Sequence, residues 1–340
     1  MKTKLLSYES SGKAVIRKAA EILRKGGLVA IPTETVYGLA ANAFDPKAVE
    51  KIFRAKGRPQ DNPLIVHVAD FDDVMDIADY IPFSFMQLAK SFWPGPLTMI
   101  VKKSDKIPDI VTCGMDTVAV RMPSHPVARK VIREAGVPLA APSANLSGSP
   151  SPTCAKHVMD DMDGRIEAVL DGGECEVGVE STVISLAGDV PLLLRPGIIS
   201  KEEMEKVVGF IEVHKAVYDK PEDGEKAASP GMKYIHYSPK TEIILVDADD
   251  EEFAGFVNRN ADNAGAMIYE SEQDLFSVPT VVYGKKGDYD SQAHYLFEAL
   301  RKTDELNVKT VYARLPGQTG AALAVYNRLI RAAGYRIIKP

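Results

Sequence analysis

Short apolar runs separated by amphipathic stretches set the pattern of this chain. Leu28, Val29, Ala30 and Ile31 form one such run, which reads as a buried strand stopped by Pro32. Asp45 and Pro46 supply an N-cap and a proline at the first helical position, and Val49, Ile52 and Phe53 give the following helix its apolar face. Gly57 and Pro59 close that helix; Leu64, Ile65 and Val66 begin a second strand with His67 at its carboxyl end. Residues 27–68 therefore read as one βαβ-like unit. Before it, Ile16, Ala19, Ala20 and Leu23 mark a helix over 11–27. After it the pattern predicts helices over 71–80, 83–92, 126–135 and 201–208, with strands over 97–101, 117–121, 138–141, 168–170, 181–186 and 191–194.

The pattern changes near residue 210. Residues 210–240 are charged, broken by Pro and Gly, and without sustained periodicity, as expected of an interdomain linker. The part from Ser229 to Tyr237 is rich in aromatics and cations and is expected to be ordered against something. Beyond it, strands over 242–246, 266–269, 280–283, 310–313 and 335–338 alternate with helices over 251–259, 291–303 and 319–333, the signature of a parallel sheet. The expected domains are thus 1–209 and 241–340, joined by 210–240.

Composition narrows the class. At 340 residues, 45% hydrophobic and 26% charged, the chain has material for two globular cores. A net charge of −6 gives no global field for nucleic acid. Cys113, Cys154 and Cys175 show no CxxC spacing and the six histidines no HxxxH pair, so neither a disulfide framework nor a metal site built from side chains is expected. With no long apolar run and no signal-like N-terminus, a cytoplasmic protein without membrane contact is expected.

The polar residues gather where strands end. Thr33, Glu34, Thr35 and Tyr37 follow the first strand, Lys56, Arg58 and Asn62 precede the second, and His67, Arg121 and Arg195 close others. Ligands of open α/β sheets bind at such strand ends. The loop 141–153, rich in small residues, Ser and Pro, suits an anion site, although an ordinary surface loop has the same composition. P-loop, GxSxG, kinase, HExxH and GxGxxG motifs are missing from the sequence. Cations interleaved with Thr, Ser and Asn suit phosphoryl or nucleotidyl transfer, where positioning and charge neutralisation do most of the work.

PTETVYGL (32–39), KGRP with NPL (56–64), SANLSG (143–148), STVI (181–184), RPG (195–197) and the SPGMKYIHYSP linker (229–239) resemble, in order, the motif set of YrdC-type L-threonylcarbamoyladenylate synthases of the long, two-domain form. The resemblance implies a twisted open mixed sheet with helices in the N-terminal domain, then a smaller Rossmann-like parallel αβα domain. It implies condensation of L-threonine, bicarbonate or CO2, and ATP to threonylcarbamoyl-AMP and pyrophosphate. The product would pass to a tRNA threonylcarbamoyl transferase that modifies the adenosine beside the anticodon (position 37), with a weak tRNA contact.

Carried over by position, the resemblance implies that Thr35, His67, Arg121, Ser181 and the backbone at Ala141 bind threonine. Lys56, Arg58, Asn62, Thr117, Ser143, Asn145, Ser151 and Arg195 would face ATP, with Lys56 and Arg58 the cations closest to the chemistry and Tyr234 and His236 acting as a lid. Mg²⁺ is expected with ATP, held by phosphates and water. An RNA-binding regulator using the same concave surface, or a carbamoyl transferase of the hydrogenase-maturation kind, are the competing readings; the second lacks its expected cysteine-rich modules here.

Overall fold

The computed structural model describes residues 2–220 and 237–340. They divide into two compact units: the described parts of Met1–Ser147, Pro152–Glu176 and Glu180–Lys233, and those of Gly148–Ser151, Val177–Val179 and Tyr234–Pro340.

Eleven strands build the first unit: β1 (Lys4–Ser7), β2 (Val29–Ile31), β3 (Gly38–Asn42), β4 (Ile65–His67), β5 (Leu97–Lys102), β6 (Thr117–Arg121), β7 (Leu139–Ala140), β8 (Ala168–Asp171), β9 (Thr182–Ser185), β10 (Leu192–Arg195) and β11 (Glu212–Val213). They form one mixed sheet in the order β1-β8-β2-β3-β7-β4-β6-β5-β9-β10-β11. Its helices are α1 (Tyr8–Arg24), α2 (Pro46–Lys56), α3 (Phe83–Phe92), α4 (Asp109–Thr112), α5 (Pro126–Ala135), α6 (Ala155–Met162) and α7 (Lys201–Val208). Local chemistry fixes several ends. Asp45 accepts the Lys47 amide at 2.9 Å and Gly57 closes α2 at φ 63°, a conformation that costs glycine little. Ser200 and Glu203 form a capping box on α7.

The expected helix over 71–80 is a single 3-10 stretch, Phe71–Asp76. The sheet also runs past residue 209, where a linker is expected: β11 pairs in parallel with β10, and Ile211, Ala216 and Val217 are buried. Strands β1 and β3 and helix α6 have no counterpart in the hydrophobic pattern.

Alternation along the strands gives the sheet two unlike faces. On one, Val66, Met99, Val101, Val118, Val120 and Ile184 meet the apolar sides of α2, α3 and α7 in the main core. On the other, α1 and α5 cover β2, β3, β7 and β8 through Val29, Ile31, Ala40, Leu139 and Leu170. The β4–β10 half of that second face carries a small apolar floor of Ile65, Ile100, Ala119, Val183 and Leu194, joined by Ala216 of the one-turn helix Lys215–Val217. Among the described residues this floor includes no residue of an α-helix.

The second unit is a five-stranded, wholly parallel sheet of β12 (Glu242–Val246), β13 (Ala264–Ile268), β14 (Thr280–Val282), β15 (Thr310–Arg314) and β16 (Ile337–Ile338), ordered β14-β13-β15-β12-β16. Helix α8 (Asp250–Arg259) packs Phe253 and Val257 on Val246, Ala266 and Ile268; α9 (Tyr289–Thr303) and α10 (Ala322–Ala332) complete the Rossmann-like αβα arrangement. Of the linker part expected to be ordered, Tyr237 is described; its ring packs on Phe297 at 5.1 Å. No helix of the described residues is long and apolar enough to cross a membrane.

Candidate active site

Five neighbouring strands bring polar residues to one level of the β4–β10 half-face. In the parallel pair β4–β6, His67 lies opposite Arg121. Strand β5 runs antiparallel to β6 with Met99 opposite Val120, so Thr98 comes level with Arg121. Ser181, just before β9, shares a 2.7 Å hydrogen bond with Thr98 between their hydroxyls. Arg195 ends β10 and donates to Ser181 twice, Nη2 to Oγ at 3.1 Å and Nε to the carbonyl at 3.0 Å. All five side chains are buried. Gly197 is required beside this row, since a Cβ there would stand 2.4 Å from the Thr182 amide.

The turn after β2 adds a directed chain of hydroxyls. Thr33 donates to the Val36 carbonyl at 2.6 Å, so the Thr35 hydroxyl donates to Thr33 (2.9 Å) and is left to accept from Arg121 Nη1 at 2.9 Å. Arg121 Nε donates to the Gly95 carbonyl at 3.4 Å, and Nη2 stands 2.7 Å from Glu34 Oε1. That ion pair is close but badly aligned: neither Glu34 oxygen, nor Nη2, has a hydrogen bond of good geometry. Burial pushes the Glu34 carboxyl up, but the charge and close contact of Arg121, then the nearby amides of Glu34 and Ser124, override it and hold the group below its usual range. Burial and then the Arg121 charge push His67 down to about 3, so it is a neutral imidazole with one donor and one acceptor.

A second cluster lies toward the opposite end of the same strands. The Ala141 amide donates to the Ile65 carbonyl at 3.0 Å, which carries the 141–147 loop to the amino end of β4. Lys56 Nζ, buried at the end of α2, donates to the carbonyls of Ser143 and Asn145, both at 2.6 Å. Burial, and secondarily the Arg58 charge, push this ammonium well below its ordinary value. Lys56 therefore holds the loop in place from beneath. Arg58 donates to the carbonyls of Asn62 (Nε, 3.2 Å) and Pro63 (Nη2, 3.0 Å). Asn62 is buried, with Oδ1 lacking a hydrogen-bond donor. Thr117 starts β6 and lines a small recess with Pro63, Leu64 and Met115. It lies four residues from Arg121 on the same strand face, about 13 Å at 3.3 Å per residue.

Thr35, His67, Arg121 and Ser181 thus come together, as do Lys56, Arg58, Asn62, Ser143 and Asn145, with Thr117 beside the Asn62–Pro63 stretch. Arg195, expected to face ATP, sits on Ser181 in the first group. Ser151 groups with the second unit, and Tyr234 and His236 lie outside the described residues. Two members of the row carry no assignment from the sequence, Glu34 and Thr98. Glu34 sits inside the polar turn already noted, whereas Thr98 is a lone hydroxyl in an apolar strand. Among the described residues no group of three or more His, Cys, Asp or Glu could hold a metal ion.

Comparison with known proteins identifies the family. A Sua5–YciO–YrdC family model described as "Telomere recombination" matches residues 21–197, and a model of the threonylcarbamoyl-AMP synthase C-terminal domain matches 199–334. The threonylcarbamoyl-AMP synthase of Pyrococcus abyssi is 48% identical over 95% of both chains, and that of Bacillus subtilis 46% identical over 97% of this chain and 96% of its own. The crystal structure of P. abyssi Sua5 complexed with L-threonine superposes with a TM-score of 0.91 at 45% identity, covering 100% of each chain. Matched in both domains and along its whole length, the chain belongs to the two-domain Sua5/YrdC family of threonylcarbamoyl-AMP synthases.

Proposed function

We propose that the β4–β10 half-face joins L-threonine, CO2 from bicarbonate, and the adenylyl group of ATP into threonylcarbamoyl-AMP, releasing pyrophosphate. The observation that carries this reading is the polar row His67–Arg121–Thr98–Ser181–Arg195 beside the apolar floor, with Thr117 about 13 Å from Arg121 along β6 at 3.3 Å per residue. Arg121 suits the threonine carboxylate, because a guanidinium pairs with a carboxylate in bidentate fashion. Neutral His67 and the Thr35 and Ser181 hydroxyls suit the substrate hydroxyl and backbone polar groups. ATP would lie along β6 toward Thr117, with Asn62 Oδ1 offering an unfilled acceptor and Arg58 a cation.

The threonine ammonium first gives up a proton, which bicarbonate takes up as it dehydrates to CO2 and water. The free amine then adds to the CO2 carbon and releases its second proton to solvent, giving a carbamate. A carbamate oxygen then attacks the α-phosphorus as the bond to the pyrophosphate oxygen breaks. The attacking oxygen is already anionic, so orientation and charge neutralisation outweigh a dedicated base. The side chains assigned to the ATP end are Lys, Arg, Asn, Ser and Thr, which fits Mg²⁺ held by phosphate oxygens and water. Bound to ATP, Mg²⁺ supplies neutralisation of phosphate charge. The product would feed a transferase that modifies tRNA in the cytoplasm. Pyrophosphate release from ATP tests the reading when L-threonine and bicarbonate are omitted in turn. Release should require both; release indifferent to threonine would overturn it.

A further inference from the structure

Glu34 is the least satisfied charged group in the row. Its side chain is 4% exposed, as is that of Arg121, yet the carboxylate receives no well-aligned hydrogen bond. A buried charge in that condition is costly, by several kcal/mol for a truly unpaired group. A simple structural pair would be expected to turn toward better geometry. Arg121 Nη1 and Nε donate to Thr35 and Gly95, which fixes the guanidinium, while neither oxygen of the carboxylate beside it accepts a well-aligned hydrogen bond. His67, the remaining titratable group in the row's centre, is neutral and supplies no charge.

We propose that Glu34 anchors the α-ammonium group of the amino-acid substrate, so that Arg121 and Glu34 form a charge pair complementary to a zwitterion. The inference rests on the threonine reading of this site. Without ligand the two charges neutralise each other. With ligand, the substrate carboxylate takes Arg121 and its ammonium fills the vacant acceptors of Glu34. Charges then alternate around the four groups, and no buried charge is left unmatched. The pair thereby selects an α-amino acid over a hydroxy acid of the same shape.

A ligand-by-variant cycle separates this role from that of merely holding Arg121. L-threonine and (R)-3-hydroxybutyrate, which lacks only the amino group, are titrated calorimetrically into the wild type and Glu34→Gln. In the wild type threonine should bind tighter by about tenfold or more, the scale of one charge-assisted hydrogen bond. In Glu34→Gln that gap should shrink to about threefold or less. An unchanged gap, with both ligands weakened alike, overturns the assignment and leaves Glu34 a positioning residue for Arg121. Should Glu34→Gln fail to fold, the proton balance of threonine binding to the wild type decides, measured in buffers of different ionisation heat. No net proton release supports an ammonium on a carboxylate; release of about one proton contradicts it. A wild type that binds neither ligand overturns the threonine reading itself, and this assignment with it.

Discussion

Each unit buries an arginine–glutamate pair whose arginine ends a strand, and the two pairs are finished differently. In the second unit Arg314 Nη1 donates to Glu272 Oε2 at 2.8 Å, and the same carboxylate accepts the Tyr269 amide at 3.0 Å. Asp250 stands 3.3 Å from Arg314 Nε, and the guanidinium lies 4.3 Å from the Phe253 ring centre and 5.2 Å from that of Tyr269. In the first unit Arg121 and Glu34 are as close, at 2.7 Å, but the carboxylate lacks any aligned hydrogen bond. The contrast lies in the acid: Glu272 accepts two aligned hydrogen bonds on Oε2 and Glu34 accepts none, although Arg314 Nε and Nη2 in turn lack aligned partners. A buried ion pair is weak evidence for stability in itself; what distinguishes a structural pair from a binding pair is whether its acceptors are already full.

The sharpest way to break this comparison is to truncate each arginine. Arg121→Ala should lower threonine-dependent pyrophosphate release by roughly two to three orders of magnitude, as expected when a buried charge contact to ligand is lost. Arg314→Ala should instead lower unfolding free energy by about 3–5 kcal/mol, seen in urea denaturation, while threonine affinity of the folded protein stays within about twofold. Equal catalytic losses in the two variants would erase the distinction. Next in size is Lys56→Ala. Because Nζ holds the Ser143 and Asn145 carbonyls, turnover should fall on the order of a hundredfold with little change in threonine Kd. Comparable losses in turnover and affinity would contradict its place at the ATP end.

A smaller effect concerns His67. Its folded value near 3 lies below the ordinary 6.5, so between these pH values the unfolded chain binds one proton more than the folded one. Stability should therefore fall as pH drops from about 6.5, with a slope of about 1.4 kcal/mol per pH unit from this residue. His125, also pushed down by burial, adds to it. Urea titrations between pH 5 and 6.5 should show a slope lower by about one proton in His67→Gln than in the wild type. Smallest is Asp45→Ala, which removes the α2 N-cap: about 1 kcal/mol of stability lost, with unchanged kinetics.

Much of the fold was legible because local signals agreed. Asp45-Pro46 and Gly57 bracket α2 where the structure has it, and the runs at 117–121 and 242–246 coincide with β6 and β12. The missed elements lack such signals. Strand β3 is GLAAN, without β-branched or aromatic residues, and is made a strand by its antiparallel pairing with β2. Strand β11 is two residues long and exists only as a partner of β10. At the site, Thr35 and Ser181 lie in the PTETVYGL and STVI motifs, and His67 and Arg121 at the ends of apolar runs that read as strands, so the meeting of these four was open to reading from the chain. That Arg195 would rest on Ser181, and that Thr98 would join them, depends on pairings between β5, β9 and β10 that no local pattern encodes. The vacancy at Glu34 is legible only once burial and alignment are known.

The most direct test is a crystal structure of this chain with L-threonine and a non-hydrolysable ATP analogue. Threonine should lie with its carboxylate on Arg121, and the nucleotide should run along β6 toward Thr117. Nucleotide at the strand ends beside Arg314 in the second unit, or threonine away from Arg121, would contradict it.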